Sequence, residues 1–142
     1  MKNKMVIIAG CGRLGALVAS KLSELKRDVM VIDQDKTAFR KLDVCYGGLT
    51  ITGSATDIDV LKKAGIEKAS TFIALTNSDS VNIASAQMAK LVFNIPETIA
   101  RVYDEDKIDL IKNYDISVIC PTELSQNRLE AYVEGEKRDE HK

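Results

Sequence analysis

The sequence predicts an α/β protein: a Rossmann-like, doubly wound sheet of six mainly parallel strands in a single domain. Three observations predict it. Apolar runs of strand length alternate with helical patterns along the whole chain. A glycine cluster, Gly10-Cys11-Gly12-Arg13-Leu14-Gly15, stands where the first run becomes a helix. An acid, Asp33, closes the second run 18 residues after Gly15. Parallel strands need crossover connections, and helices between strands supply them.

Each element follows from local pattern. "MVIIAG" (5–10) is a continuous apolar run, as a strand buried on both faces requires. "LGALVASKLSEL" (14–25) puts Leu14, Leu17, Val18, Leu22 and Leu25 at helical spacing. "VMVID" (29–33) is a second buried strand, and "KTAFRKLD" (36–43) reads as a short helix. "LTITG" (49–53) is a third strand. "DIDVLKKAG" (57–65) is a helix with Asp57 near its start and Gly65 just past its end. "STFIALT" (70–76) is the fourth strand.

The longest helical stretch, "SDSVNIASAQMAKLVF" (78–93), places Val81, Ala84, Met88, Leu91 and Val92 on or near one face. Pro96 blocks its continuation. "TIARVY" (98–103) is the fifth strand. "DEDKIDLIKNY" (104–114) is a helix with acids in its first turn, where the dipole favours them. "ISVIC" (116–120) is the sixth strand, and Pro121 leads into a last helix, "TELSQNRLEAYV" (122–133). The domain is therefore expected over residues 1–134. Residues 135–142, nearly all charged or small, read as a tail or linker stub.

Composition removes several function classes. The 142 residues are 45% hydrophobic, enough for the core of one domain. Lys and Arg number 20 against 21 Asp and Glu, so no overall charge draws the chain to nucleic acid. Three cysteines at 11, 45 and 120 form no CxxC pair, which argues against a zinc site or disulfide framework. The single histidine, His141, lies next to the C-terminal residue, so imidazole metal binding and histidine catalysis are not expected. No run approaches the ~20 apolar residues of a membrane span, and no signal-peptide pattern opens the chain. A cytoplasmic protein is expected.

The glycine loop carries the chemistry. G-x-G-x-x-G between a strand and a helix is a dinucleotide-binding fingerprint. Gly10 makes the turn, Gly12 lets backbone approach a pyrophosphate, and Gly15 lets the helix pack on the strand. The helix N-terminus offers unpaired amides and partial positive charge to phosphate. Asp33 stands where a carboxylate accepts both ribose hydroxyls and repels a 2′-phosphate, which disfavours NADP.

Other candidates carry two readings each. Arg13 is either a guanidinium clamp on phosphate or an exposed arginine packing its stem at the sheet edge. Thr76 and Asn77 follow the fourth strand, where ligands of open parallel sheets sit; alternatively Ser78 simply caps the next helix. Arg101 ends the fifth strand among apolar residues and needs a partner, either a phosphate or one of Asp104, Asp79 and Asp33. Cys11 is a small apolar filler or, beside a helix N-terminus, a reactive thiol.

Together "IIAGCGRLG", "VIDQD", "GSATDIDVLKKAGIEKASTFIALTNSDSVNIASAQMAK" and "TIARVYD" resemble the RCK domain, also called KTN or TrkA-N, of bacterial Trk- and Ktr-type potassium uptake regulators. The resemblance runs from about residue 4 to residue 134. It implies a site of Gly10, Cys11, Gly12, Arg13, Leu14 and Gly15, with Asp33 on the adenosine ribose and Gln34 beside it. Ser54 and Ala55 would follow the third strand near the adenine. Thr76 and Asn77 would line the site, and Arg101 would reach the phosphates.

It further implies NAD(H), ATP or ADP as ligand, and self-assembly as a dimer or larger ring. The ring would sit on the cytoplasmic face of a membrane-embedded potassium-conducting subunit, gating it. Two positions depart from the family pattern: Ser54 replaces a frequent acid, and Pro121-Thr122-Glu123 displaces a glutamate that often follows the proline directly. Many members continue into a second ligand-binding domain, which is expected here as a separate polypeptide or not at all.

A dehydrogenase needs a substrate pocket and a proton-transfer group beside the nicotinamide. This sequence shows neither, nor G-x-S-x-G, a Walker lysine or HExxH. A regulatory nucleotide-binding protein, not an enzyme, is the expectation. The alternative is an NAD-dependent oxidoreductase, or the cofactor half of a split one.

Overall fold

A computed structural model describes residues 5–135. The expectation of a tail over 135–142 therefore lies, apart from Gly135, outside the described residues, as does His141.

Six strands form one sheet: β1 (Val6–Ala9), β2 (Val29–Asp33), β3 (Leu49–Thr52), β4 (Thr71–Ala74), β5 (Glu97–Arg101) and β6 (Ser117–Ile119). Their order is β3-β2-β1-β4-β5-β6, and all five pairings are parallel. β1 thus has β2 on one side and β4 on the other, so the strand order reverses beside it. At such a switch point the connections leave in opposite directions and a crevice opens at the carboxyl ends of the strands.

Among the described residues there are four α-helices, α1 (Arg13–Glu24), α2 (Ile58–Lys63), α3 (Asp79–Gln87) and α4 (Pro121–Glu134). Residues 36–43 and 104–114, expected as helices, form 3-10 turns instead, Lys36–Lys41 and Glu105–Leu110. Asp35 and Asp104 each take the amide two residues on. That tight start suits a six-residue connection more than an α-helical ladder. α3 runs on into a π-helical turn, Met88–Val92. No helix among the described residues is long and apolar enough to cross a membrane.

Both faces of the sheet are covered. Ile7, Ile32, Phe72 and Ala100 pack with Leu61, Ile83, Ala86 and Ala89 on one face. Val6, Ile8, Val29 and Val31 pack with Ala16, Ala19 and Ala38 on the other. The helical faces differ from those expected. α1 buries Gly15, Ala16 and Ala19, while Leu14, Leu17 and Leu25 are exposed. α3 buries Asn82, Ile83, Ser85 and Ala86, while Leu91 and Val92 are 54% exposed. Small residues let a helix axis come close to a sheet; larger neighbours are then left at the flanks.

The loop before β3 is pinned to α1 and to the sheet. The amides of Asp43 and Gly47 donate to the hydroxyls of Ser20 and Ser23. The Tyr46 hydroxyl reaches the Leu49 and Val29 carbonyls at 2.8 and 3.1 Å. Burial, and then the neighbouring Cys11, push the Tyr46 phenol up to about 12. Unfolded tyrosine titrates near about 10, so the folded form holds its proton more tightly. The Tyr46 contribution is complete below the unfolded value and disappears as pH rises through the folded one. Tyr46→Phe is expected to flatten the alkaline loss of stability across that window, read by chemical denaturation at stepped pH. An unchanged alkaline slope would refute it.

Candidate functional site

The crevice at the switch point is a cleft of about 470 Å³, within the size range of small-molecule sites. Four chain segments meet in it. Gly10, Cys11 and Gly12 come from the loop after β1, and Asp33 and Gln34 from the end of β2. Ser54 and Ala55 follow β3, and Thr76 and Asn77 follow β4. Arg13, Leu14, Gly15 and Arg101, also expected at the site, do not line it. Arg13 is exposed at the first position of α1, and Gly15 lies beneath the loop.

The loop is shaped by close backbone approach. Gly10 has φ +106°, a conformation that side-chain-bearing residues rarely adopt. A Cβ there would also lie 2.7 Å from the Leu75 carbonyl carbon. A Cβ on Gly15 would collide with the Gly10 carbonyl oxygen, whereas at Gly12 it would meet nothing within 4 Å. So Gly15 is needed by the fold, and Gly12 leaves open space. Gly12 caps α1 without a side-chain bond, and the first turn of α1 carries no acid. The helix start is left with amides that no side chain caps.

Asp33 anchors the loop. Its Oδ2 accepts from the Cys11 amide at 2.7 Å and its Oδ1 from the Asp35 amide at 2.8 Å. Each oxygen keeps a lone pair for a further donor. Asp35 in turn is held below the ordinary carboxylate range, first by the Thr37 hydroxyl and then by the Thr37 amide. Cys11 is fully buried. Burial, then the Asp33 charge, push its thiol above the usual range, and Lys41 only partly opposes them. A protonated, enclosed thiol is a packing group, not a nucleophile.

On the opposite lip, Thr76 is already engaged. Its amide and hydroxyl donate to Asn82 Oδ1 at 2.9 and 2.6 Å. Asn82 Nδ2 donates to the carbonyls of Thr76 and Arg101, at 3.0 and 2.8 Å. Ser78 does cap α3, accepting from the Val81 amide at 3.2 Å. Arg101 takes none of the acids considered for it. Its Nη2 donates to the Leu75 and Thr76 carbonyls, both at 3.2 Å. Asp33 is bound to amides as above, Asp79 accepts from the Tyr103 and Asp104 amides, and Asp104 caps a 3-10 turn. These carboxylates satisfy backbone donors, which cannot find other partners at strand ends, in preference to the guanidinium.

The TrkA-N domain profile matches residues 6–121. The chain belongs to the TrkA-N family. The Trk system potassium uptake protein TrkA of Streptomyces coelicolor is 34% identical over 124 residues, 87% of this chain and 56% of that protein. The TrkA homolog of Pyrococcus horikoshii is 34% identical over 128 residues, 86% of this chain and 56% of that protein. The chain thus spans a little over half the length of these curated relatives. Among solved structures, the GsuK RCK domain superimposes with a TM-score of 0.76 at 26% identity, covering 98% of this chain and 30% of that one. GsuK has also been solved bound to ADP, with 94% of this chain and 35% of that one covered, and as a channel bound to NAD, with 96% and 24% covered. Both align with TM-score 0.75 at 26% identity.

Two residues at this TrkA-N cleft escape sequence reasoning. Lys41 lines it as its one lysine; it sits in a 3-10 turn, Lys36–Lys41, that no motif marks. Asn82 lies at 0% exposure and ties β4 to β5. The available signal was an asparagine within the apolar side of a helix, which must be satisfied when buried. Asn82→Ala strips partners from the Thr76 amide and hydroxyl and from two carbonyls. We expect a stability loss of about 3 kcal/mol, measured by denaturant unfolding. A loss too small to resolve would refute this role. Among the described residues no group of His, Cys, Asp or Glu is placed to hold a metal ion.

Proposed function

We propose that this TrkA-N domain is the nucleotide-sensing element of a potassium uptake regulator. Its cleft takes an adenine nucleotide, NAD(H) or ATP/ADP, and the bound nucleotide biases the state of a membrane-embedded potassium-conducting subunit. The domain works at the cytoplasmic face as a homodimer or larger ring, and it carries out no chemical step.

One observation carries the reading: an uncapped helix start and a carboxylate bound to the loop before it border one cleft of nucleotide size. Phosphate suits the first, and ribose hydroxyls suit the second. The TrkA names of the relatives and the ADP- and NAD-bound forms of GsuK support it. Asp33 and Asp35 on the ribose side weigh against a 2′-phosphate, so NADP is disfavoured. Arg13, exposed at the first turn of α1, is assigned to the outermost phosphate. In a sensor, binding free energy shifts an equilibrium, and only the difference in affinity between two states is effective.

Calorimetry on ligand-stripped protein tests this with ADP, ATP, NAD⁺, NADH and NADP⁺. Adenine nucleotides without a 2′-phosphate are expected to bind. Arg13→Ala is expected to weaken ATP about tenfold and ADP less, because a charge-assisted contact is lost only at the far phosphate. No heat from any of the five would end the proposal. Turnover of a nicotinamide at its absorbance band would replace it with the oxidoreductase reading.

A further inference from the structure

Arg101 is a buried cation in an incomplete environment. It is 8% exposed; among the described residues its Nε is buried without a hydrogen-bond partner, and its bonds go only to the neutral carbonyls of Leu75 and Thr76. Its Cζ also stands 5.1 Å from the centre of the Tyr103 ring. Neutral carbonyls and a ring face compensate a buried guanidinium less fully than an anion does. The Thr76 carbonyl that holds it belongs to the lip of the nucleotide cleft.

Tyr103 faces a different place. With Pro121, Ser125 and Leu129 it walls an open groove along α4. Its own backbone is fixed: its amide donates to Asp79 Oδ1 at 2.9 Å, and its carbonyl accepts from Cys120 Sγ at 3.7 Å. Cys120 is the residue immediately before α4. No residue of α4 is fully buried, and only Pro121 and Ala131 are half-buried. So the Tyr103 ring has a fixed stem, a cation on one side, and the largely exposed helix α4 beyond.

We propose that Arg101 couples the two places: it rests on Tyr103 or turns to a phosphate in the cleft, and Tyr103 reports the change to α4. The coupling presupposes the nucleotide reading of the cleft given above. Phosphate would supply the anion that Arg101 lacks, and the Thr76 carbonyl that now accepts from the guanidinium belongs to a residue of the cleft wall. Leaving the ring frees Tyr103 to repack against Pro121 and Leu129. Binding and repacking are then linked, so each biases the other by the same factor. The two-position element is a single side chain, which is what a coupling route must supply.

Hydrogen exchange of the amides of 121–134, with and without saturating ADP, tests it on the whole chain. Calorimetry with ADP comes first. In wild type, ADP is expected to change exchange along α4 about fivefold or more. Tyr103→Leu is expected to lose that response while binding ADP no more weakly, since the competing resting place for the guanidinium is gone. Arg101→Lys is expected to weaken ADP and lose the response together. A merely structural Tyr103 would not separate the response from affinity in this way. Absence of ADP heat in wild type overturns the nucleotide reading and the coupling with it. ADP heat without an exchange change, or a wild-type response in Tyr103→Leu, overturns the coupling alone.

Discussion

Gly15→Ala is expected to destabilise the fold by about 3 kcal/mol or more, a fall in melting temperature of about 10 °C for a domain of this size. The reason is a single contact. The added methyl would overlap the Gly10 carbonyl oxygen, a backbone atom that no rotamer change can move. α1 and β1 would have to separate, and with them Ala16 and Ala19 would leave the face they share with Ile8 and Val31. Gly12→Ala, three residues away, meets nothing within 4 Å and is expected to keep the fold while obstructing the ligand. Thermal unfolding of both variants decides the matter. A Gly15→Ala protein that melts with wild type would show that the helix does not depend on this approach.

Asp33→Ala is expected to weaken ADP about a hundredfold, the value of two charge-assisted hydrogen bonds to ribose hydroxyls. The carboxylate has two duties. It draws the Cys11 and Asp35 amides toward one point, and it keeps lone pairs for a sugar. Loss of the first duty lowers stability; loss of the second lowers affinity. Calorimetry and unfolding measured on the same variant separate them. Protection against heat offers a cross-check, because a bound ligand raises stability in proportion to the logarithm of its concentration over Kd. Undiminished ADP binding by Asp33→Ala would remove the ribose from this end of the cleft.

Much of this molecule was legible before its structure. The alternation of apolar runs with helical patterns placed all six strands, since period and length are local properties of a chain. The glycine spacing and Asp33 located the cleft, because a tight turn and a strand end leave signatures in residue type. Thr76 and Asn77 were legible at a strand end, and Ser54 and Ala55 only through the family resemblance; all four line the cleft. The buried face of α1 was less legible. Its leucines lie at the flanks and its alanines at the sheet, because closeness of approach, not hydrophobicity, selects the residue at the contact.

The sequence by itself determined the class of fold, the register of the glycine loop and the acid that answers it. Those follow from backbone sterics and from the periods of strand and helix, which each short segment carries alone. Only the tertiary structure decided which partners the polar groups take. Charge matched Arg101 to a phosphate or to Asp104, Asp79 or Asp33, yet those acids are consumed by amides, and the guanidinium sits on carbonyls and on Tyr103. Asn82 signalled only that a buried amide needs partners, not that they lie at the ends of β4 and β5. Burial obliges every polar group to find a partner, but which one lies within reach depends on segments far apart in the chain.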